Sequence, residues 1–222
     1  MITVPNQVKD FLKVFNKNGF QIYIVGGAVR NLLLDKKIDN WDFSTDAKPE
    51  QIQKLFPDSF YNNTYGTVTV RALRAMPQQK LLFEITPFRK ESGYMDLRHP
   101  DKISWAKTIE EDLSRRDFTI NSIAYDGKNI IDPYFGQKDL SNKLIKAVGD
   151  PDERFNEDAL RLLRAIRFTS QLGFLIEENT RNSIQKNASL ITKISWERIR
   201  DEFLKILGSD HPSEGIVFLK NT

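Results

Sequence analysis

The sequence predicts an α+β fold, with strands and helices mixed over residues 1–138 and helices dominating after that. Three observations carry this reading. Short runs rich in aromatic and β-branched residues, "FQIYIVGG", "NWDFST", "YGTVTVRAL" and "KLLFEITPF", sit in the first part, bounded by turn formers. From Asp139 onward apolar residues recur at helical spacing, most clearly in "NEDALRLLRAIRFTSQLGF". A chain of 222 residues, 40% hydrophobic, can bury a real core in one large or two small domains.

The first helix is expected in "KDFLKVFNKNG", where Phe11, Leu12 and Phe15 share a face and Asn18-Gly19 ends it. The strand "FQIYIVGG" ends in Gly26-Gly27, and "AVRNLLLD" reads as a helix after it. "NWDFST" is a second strand. Pro49 suits the first turn of a helix in "KPEQIQKLF". Two further strands, "YGTVTVRAL" and "KLLFEITPF", are expected around a turn at Met76-Pro77-Gln78. Residues 90–106 are polar and long enough for a functional loop. "TIEEDLSRRDFTINSIAY" reads as a helix, with Thr108 and Glu111 as a capping box. "GKNIIDPYFG" gives a turn, a short strand and a turn.

Composition excludes several chemistries. There are no cysteines, so disulfides and thiolate metal sites are out. With only His99 and His211, a histidine zinc site or Ser-His catalysis is not expected. The net charge of +3 is too small to name a nucleic-acid partner by itself. No apolar run is long enough to span a bilayer, and no membrane partner is expected. The N-terminus lacks the basic segment and cleavage site of a signal peptide.

Two groups of residues carry candidate chemistry. In the first, Gly26-Gly27 joins a strand to a helix, a turn that offers backbone N–H groups to phosphate; Arg30 lies one turn further on. A plain β–α turn is the competing reading. In "DNWDFST" Asp39 and Asp42 look like a metal pair, but side chains on a strand alternate. Positions 40 and 42 therefore share one face, and Asp39 faces away unless a bulge intervenes. Glu84 is an acid inside an apolar run; buried, it would need a partner or a metal, and otherwise it is a surface acid on an edge strand.

In the second group, Asp117 of "RRDFTIN" can accept from sugar hydroxyls and Arg116 can bind phosphates. The alternative is an ion-paired helix with Glu111 and Arg115 four apart. "EDALRLLRAIR" carries Glu157, Asp158, Arg161, Arg164 and Arg167; the three-residue recurrence of Asp158, Arg161 and Arg164 puts them on one slowly turning helix face. A salt-bridged amphipathic helix explains the same pattern.

"YIVGGAVRNLLLDKKIDNWDFST", "EEDLSRRDFTINSIAY", "IIDPYFGQKDL" and "RFNEDALRLLRAIRF" resemble, in order and spacing, the motifs of the class II tRNA nucleotidyltransferase and poly(A) polymerase family, in particular its CCA-adding members. The resemblance runs from about residue 20 to the C-terminus. It implies a polymerase-β-like nucleotidyltransferase head with a mixed sheet and flanking helices over residues 1–138. An all-α neck follows over 139–200, then the start of a helical body over 201–222. It implies catalysis with Mg2+ on a carboxylate pair whose second member is Asp42 and whose first position is Asn40; Glu84, singled out above as an acid inside an apolar run, is kept beside them as a further catalytic candidate. It assigns nucleotide binding to Gly26, Gly27, Arg30, Arg116, Asp117, Asp158, Arg161, Arg164 and Arg167. Asp158 and Arg161 would meet the base's Watson–Crick edge, while Arg164 and Arg167 would lie toward phosphate or primer.

Asn40 departs from the family pattern, because an amide offers a neutral oxygen where the pattern has a carboxylate. Losing such a group costs on the order of 10²-fold in rate. The chain is then an inactivated variant, a divergent member of low activity, or one in which a bulge recruits Asp39; the first two agree with strand alternation. Asn31, where the family's turn motif carries Asp, is a smaller departure. The activity implied is addition of CMP and AMP from CTP and ATP to a tRNA 3′ end in the cytoplasm. The alternatives are A-only or poly(A) addition, or a non-catalytic nucleotide- or RNA-binding module. "YGTVTV" and the loop with "YMDLRHP" favour complete CCA addition, and Gly136 in "DPYFGQKDL" suits a hinge. The last residues, "HPSEGIVFLKNT", break off inside a helical pattern, as in a chain lacking the family's further helices.

Overall fold

A computed structural model describes residues 2–62, 66–71, 82–93 and 102–221. The elements are α1 (Asn6–Lys17), β1 (Ile22–Val25), α2 (Gly27–Leu33), β2 (Trp41–Thr45), α3 (Pro49–Leu55), β3 (Phe60–Asn62), β4 (Thr67–Arg71), β5 (Leu82–Pro87), β6 (Arg89–Ser92) and β7 (Lys102–Trp105). They continue with α4 (Ile109–Ser114), β8 (Ala124–Tyr125), β9 (Ile130–Ile131), α5 (Gly136–Ser141), β10 (Leu144–Ile145) and α6 (Pro151–Glu157). The last are α7 (Leu160–Leu172), β11 (Leu175–Ile176), α8 (Glu178–Asn187), α9 (Trp196–Leu207) and α10 (Pro212–Lys220). The expected turn at Met76-Pro77-Gln78 and most of the polar loop lie outside the described residues; β6 and β7, a separate two-stranded sheet, stand at that loop's two ends.

The chain divides into two compact units. The first comprises Met1–Lys90, Ser104–Arg115 and Asn121–Tyr134; the second comprises Glu91–Ile103, Arg116–Ile120 and Phe135–Thr222.

The first unit is built on a seven-stranded sheet of order β3-β4-β5-β2-β1-β8-β9. Only β2 and β5 run parallel; the other pairs are antiparallel. Alternation sorts its side chains: Trp41, Phe43, Phe83 and Ile85 are buried on one face. Helix α1 covers them with Val8, Phe11, Leu12 and Phe15, spaced to form a single stripe. The Phe11 ring centroid lies 5.0 Å from Phe43, 5.1 Å from Phe56 and 4.7 Å from Phe83. Truncating such a fully buried ring to Ala costs about 3–5 kcal/mol. On the other face Val25, Phe88, Ile109, Leu113 and Ala124 pack together under α4.

Helix α4 is shorter than the sequence suggests. Thr108 caps it by accepting from the Glu111 N–H, while Glu111 reaches back to the Lys107 N–H, one residue earlier than a standard box. It stops at Ser114 rather than running toward Tyr125. The Ser114 hydroxyl donates to the Glu111 carbonyl and the Ser122 hydroxyl to the Leu113 carbonyl, so side chains satisfy the last carbonyls. A 3-10 turn, Thr119–Asn121, follows, and the sheet then recruits β8. Glu111 and Arg115 do not pair: Arg115 holds the fully buried Asp112 at 2.7 Å, and Glu111 takes Lys90 at 2.5 Å. The Ser44 hydroxyl also donates to Asp112, which ties β2 to α4.

The second unit centres on α7, buried nearly all round and packed against α9 and α10. Two-residue strands β10 and β11 pair in parallel, a small β element inside the part expected to be helical. The expected helix over 156–174 is also interrupted: α6 ends at Glu157, Asp158 is extended (φ −143°, ψ 103°), and α7 starts at Leu160. Asp158, Arg161 and Arg164 therefore do not form one helix face. Phe135 precedes α5 in the left-handed region (φ 59°) with its ring exposed, next to the suspected hinge glycine Gly136.

Candidate active site

In the first unit the candidate residues gather where β1 ends and β2 begins. Gly26 has φ 64° and ψ −133°, a conformation open essentially only to glycine, and α2 starts at the next residue. Arg30 curls back toward this turn: a Cβ added to Gly27 would lie 3.5 Å from its Nη2. The guanidinium is fixed by donation from Nη1 to Asn121 Oδ1 (2.7 Å) and from Nε and Nη2 to Asn31 Oδ1 (3.2 and 3.0 Å). Asn31 in turn donates from Nδ2 to the Lys37 carbonyl at 3.0 Å. The amide at position 31 thus orients Arg30 as a carboxylate would, and also makes a bond that a carboxylate could not donate.

The carboxylates are set by strand register. Trp41 and Phe43 are anchored in the core, so Asp42 points to the opposite face. The parallel pairing of β2 with β5 puts Asp42 directly beside Glu84, on the same face. Glu84 is exposed, and β5 lies inside the sheet between β2 and β4. Glu84 is therefore a surface acid, not a buried one, because its neighbours Phe83 and Ile85 turn to the core and carry it outward; the strand that carries it is interior, not the edge strand expected. Asn40 immediately precedes β2 and is exposed. Asp39 is also exposed and ion-paired with Lys37 at 2.8 Å. Among the described residues no group of three or more His, Cys, Asp or Glu side chains is placed to hold a metal ion; the strand register brings two carboxylates, Asp42 and Glu84, together here.

In the second unit the candidates form a chain of ion pairs. Asp117 is held by its backbone, whose carbonyl accepts from the Val148 N–H, and by the bridge between Phe118 and Ala147. Its Oδ1 accepts from the Phe118 N–H and its Oδ2 from Arg164, with Nε at 2.8 Å. Burial opposes the Arg164 charge, but the Asp117 carboxylate outweighs it and holds the guanidinium above its ordinary range. Arg116 is half-buried in the same segment.

Arg161 is buried and donates from Nη1 to Glu157 Oε2 (2.6 Å) and to the Arg154 carbonyl (3.1 Å). Asp158, in the break between the helices, accepts from the Leu160 N–H and from Arg198 on α9. Arg167 lies over the Phe168 ring, 4.5 Å from its centroid, and pairs with the buried Glu202. Burial first, and Arg164 beside it, lower its pKa. Arg167 is thus largely enclosed within the unit, with its guanidinium against Phe168 and Glu202.

Each sequence candidate is thus located. Gly26, Gly27, Arg30, Asn40, Asp42 and Glu84 belong to the first unit; Arg116, Asp117, Asp158, Arg161, Arg164 and Arg167 belong to the second. Two residues escaped sequence reasoning. Asn121, the acceptor for Arg30, is a buried amide in the apolar run "FTINSIA", and its burial among apolar neighbours was the available signal. Arg198 stands in the first turn of α9, where the helix dipole disfavours a cation.

The model of the poly A polymerase head domain matches residues 22–146, and that of the probable RNA and SrmB-binding site of polymerase A matches residues 173–222. The CCA-adding enzyme of Lactobacillus helveticus (strain DPC 4571) is 46% identical over 213 residues, 95% of this chain and 52% of that protein. The CCA-adding enzyme of Enterococcus faecalis (strain ATCC 700802 / V583) is 45% identical over 212 residues, 93% of this chain and 51% of that protein. The crystal structure of the Bacillus stearothermophilus CCA-adding enzyme in complex with CTP has a TM-score of 0.87 at 35% identity, covering 99% of this chain and 53% of that one. The Thermotoga maritima CCA-adding enzyme complexed with tRNA_CCA has a TM-score of 0.80 at 25% identity, covering 99% and 52%. The chain spans about half the length of the curated relatives it matches. The head-domain match covers more than half of its residues, and the chain belongs to the family of the poly A polymerase head domain.

Proposed function

We propose that this chain is the head and neck part of a cytoplasmic CCA-adding tRNA nucleotidyltransferase. Residues 1–138 are the catalytic head, 139–200 the neck that recognises the base, and 201–222 the beginning of a helical body. The substrates are CTP, ATP and the 3′ end of a tRNA. The observation that carries the reading is the pair Asp42 and Glu84, side by side on one sheet face, in a chain whose relatives are CCA-adding enzymes. Among the described residues no helix is long and apolar enough to cross a membrane.

The donor set at this pair fits Mg2+, which takes one or two carboxylates and completes its shell with water and substrate phosphate. Asp42 and Glu84 would hold it, with the Asn40 amide as a neutral oxygen. When bound, such an ion favours ionisation of the primer 3′-hydroxyl and offsets the charge of the triphosphate. The residues of the chain do the rest. The turn at Gly26-Gly27 and the clamped Arg30 receive phosphate oxygens. In the second unit, Asp158 accepts from the exocyclic amino group of cytosine or adenine. Arg161 donates to the adjacent ring nitrogen. Uracil offers the reverse pattern at these positions and is rejected.

The test is incubation with Mg2+, labelled CTP and ATP, and a tRNA lacking its CCA end. Incorporation by this chain or by Asn40→Asp, abolished when Asp42→Ala is added, is the expected outcome. Loss of incorporation with Arg161→Ala, fold intact, would extend it to base reading. Asn40 favours a second reading, a nucleotide- or RNA-binding module with a weakened metal site. Nucleotide binding without incorporation by either form would support that one. Addition of A residues alone would point to the A-adding or poly(A) branch.

A further inference from the structure

We infer that Arg198 is a positioning residue for base selection: it fixes the Asp158 carboxylate so that Oδ2 is presented to the base's amino group. The inference rests on the reading of Asp158 as the base acceptor. Asp158 lies in the extended break between α6 and α7, so no regular helix fixes its side chain. Its Oδ1 accepts from the Leu160 N–H (3.1 Å) and from Arg198 Nη2 (3.1 Å); its Oδ2 accepts from the same Nη2 (2.9 Å). An ionised carboxylate has about four lone-pair sites. These three bonds use both sites on Oδ1 and one on Oδ2, which leaves one on Oδ2 for an incoming amino hydrogen.

The placement of Arg198 supports a dedicated role. It sits in the first turn of α9, where the positive end of the helix dipole opposes a cation, and its side chain is turned toward Asp158 instead of solvent. Both partners are about one-fifth exposed (22% each), so the pair is accessible enough to meet a ligand and enclosed enough to hold its geometry. The neighbouring donor is organised in the same way: Arg161 is held by Glu157. Donor and acceptor are each set by an ion pair before a base arrives. The entropy of orienting them is thereby spent in folding rather than in binding.

The experiment measures CTP and UTP binding to the 222-residue chain by equilibrium titration, so neither tRNA nor turnover is needed. The proteins compared are wild type, Arg198→Met, Arg198→Lys, Asp158→Ala and the double variant Arg198→Met/Asp158→Ala, with thermal melting recorded for each. Wild type is expected to prefer CTP. Arg198→Met should lower that preference about tenfold, as for one misoriented hydrogen bond, while triphosphate binding survives. Arg198→Lys should restore part of the preference. Arg198→Met should add no further loss to Asp158→Ala. Preference kept in Arg198→Met but lost in Asp158→Ala would overturn the role of Arg198 and leave the base reading standing. A lowered melting temperature with unchanged preference would equally overturn it. Absence of CTP preference in wild type would remove the base-acceptor reading of Asp158, and the role of Arg198 with it.

Discussion

Replacing Asn40 by Asp turns two carboxylates into three at the start of β2, and the gain in divalent-ion affinity can be worked from the surroundings. Position 40 is exposed and outside the strand, so water-like screening applies and no packing is disturbed. A unit charge and a divalent cation about 4 Å apart attract by roughly 2 kcal/mol in that dielectric. The new charge stands about 7 Å along an extended chain from Asp42, and their repulsion of about 0.6 kcal/mol is present with and without the ion, so it costs stability and cancels from ion binding. The gain in binding is therefore about 2 kcal/mol, or about thirtyfold. Mn2+ titration followed by electron paramagnetic resonance reads this directly on the 222-residue chain, with Asp39→Ala as the companion variant. Equal affinity of wild type and Asn40→Asp would refute the assignment of position 40. If Asp39→Ala alone weakened Mn2+ binding, a distortion recruiting Asp39 would replace it. Asp39 instead stands in an exposed pair with Lys37, and such pairs contribute little.

Asp117→Asn keeps shape but removes the counter-ion of Arg164; as the arginine is one-third exposed, the cost should be about 2 kcal/mol, less than for a fully buried pair, read from urea unfolding, and an unchanged midpoint would remove Asp117 from the anchoring role. Gly215→Ala places a Cβ 2.1 Å from Ser170 Oγ and 2.7 Å from Ile206 Cγ2. The Ser170 hydroxyl is already bonded to the Ile166 carbonyl, so α10 must shift, at about 1–3 kcal/mol, and a melting temperature at or above wild type would contradict this contact. Asp152 accepts from Lys186 first, then Ser183 and Asn187, which together hold its pKa below the ordinary 3.8. Its contribution is therefore present above that value and lost as pH falls through the folded pKa. Asp152→Asn should show a flatter fall in urea midpoint below about pH 4 than wild type, and identical acid limbs would rule the contact out.

How far the sequence could be read followed the range of the forces involved. Strand alternation in "WDFST" is local, and it placed Asp42 opposite Trp41 and Phe43 without any knowledge of neighbours. The stripe Phe11, Leu12 and Phe15 was legible for the same reason. What failed was non-local. The break at Asp158 sits among good helix formers, and one of its supports, Arg198, is forty residues away. Glu84 looked enclosed because its flanks are apolar, yet only the pairing of β5 with β2 and β4 decides which side of the strand faces water. The helix expected up to Tyr125 gives way because β8 finds partners in β1 and β9, and the Thr119 N–H bonds to the Lys146 carbonyl. Asn121 was passed over because its partner, Arg30, is ninety-one residues earlier in the chain.

The ion pairs of the second unit suggest how selection and attraction are separated in this chain. Arg161, Arg164, Arg167 and Arg198 each face a carboxylate: Glu157, Asp117, Glu202 and Asp158. Glu157 also holds Arg154 and Glu202 also holds Lys205, so six cationic side chains share four carboxylates, and the stretch offers oriented donors and acceptors with most of its positive charge offset. Such groups discriminate between bases by geometry, because a mispaired base leaves a partly buried polar atom unsatisfied. Pairing leaves an excess of two positive charges, fewer than six unpaired cations would present to a polyanion. On the proposed reading, further attraction would come from the glycine turn with Arg30 and any cation held by Asp42 and Glu84. On the proposed reading, position 40 would set how strongly the triphosphate and its metal are held, and the pairs around Asp158 and Arg161 would set which base is chosen. An amide at position 40 would then weaken catalysis while leaving base preference untouched.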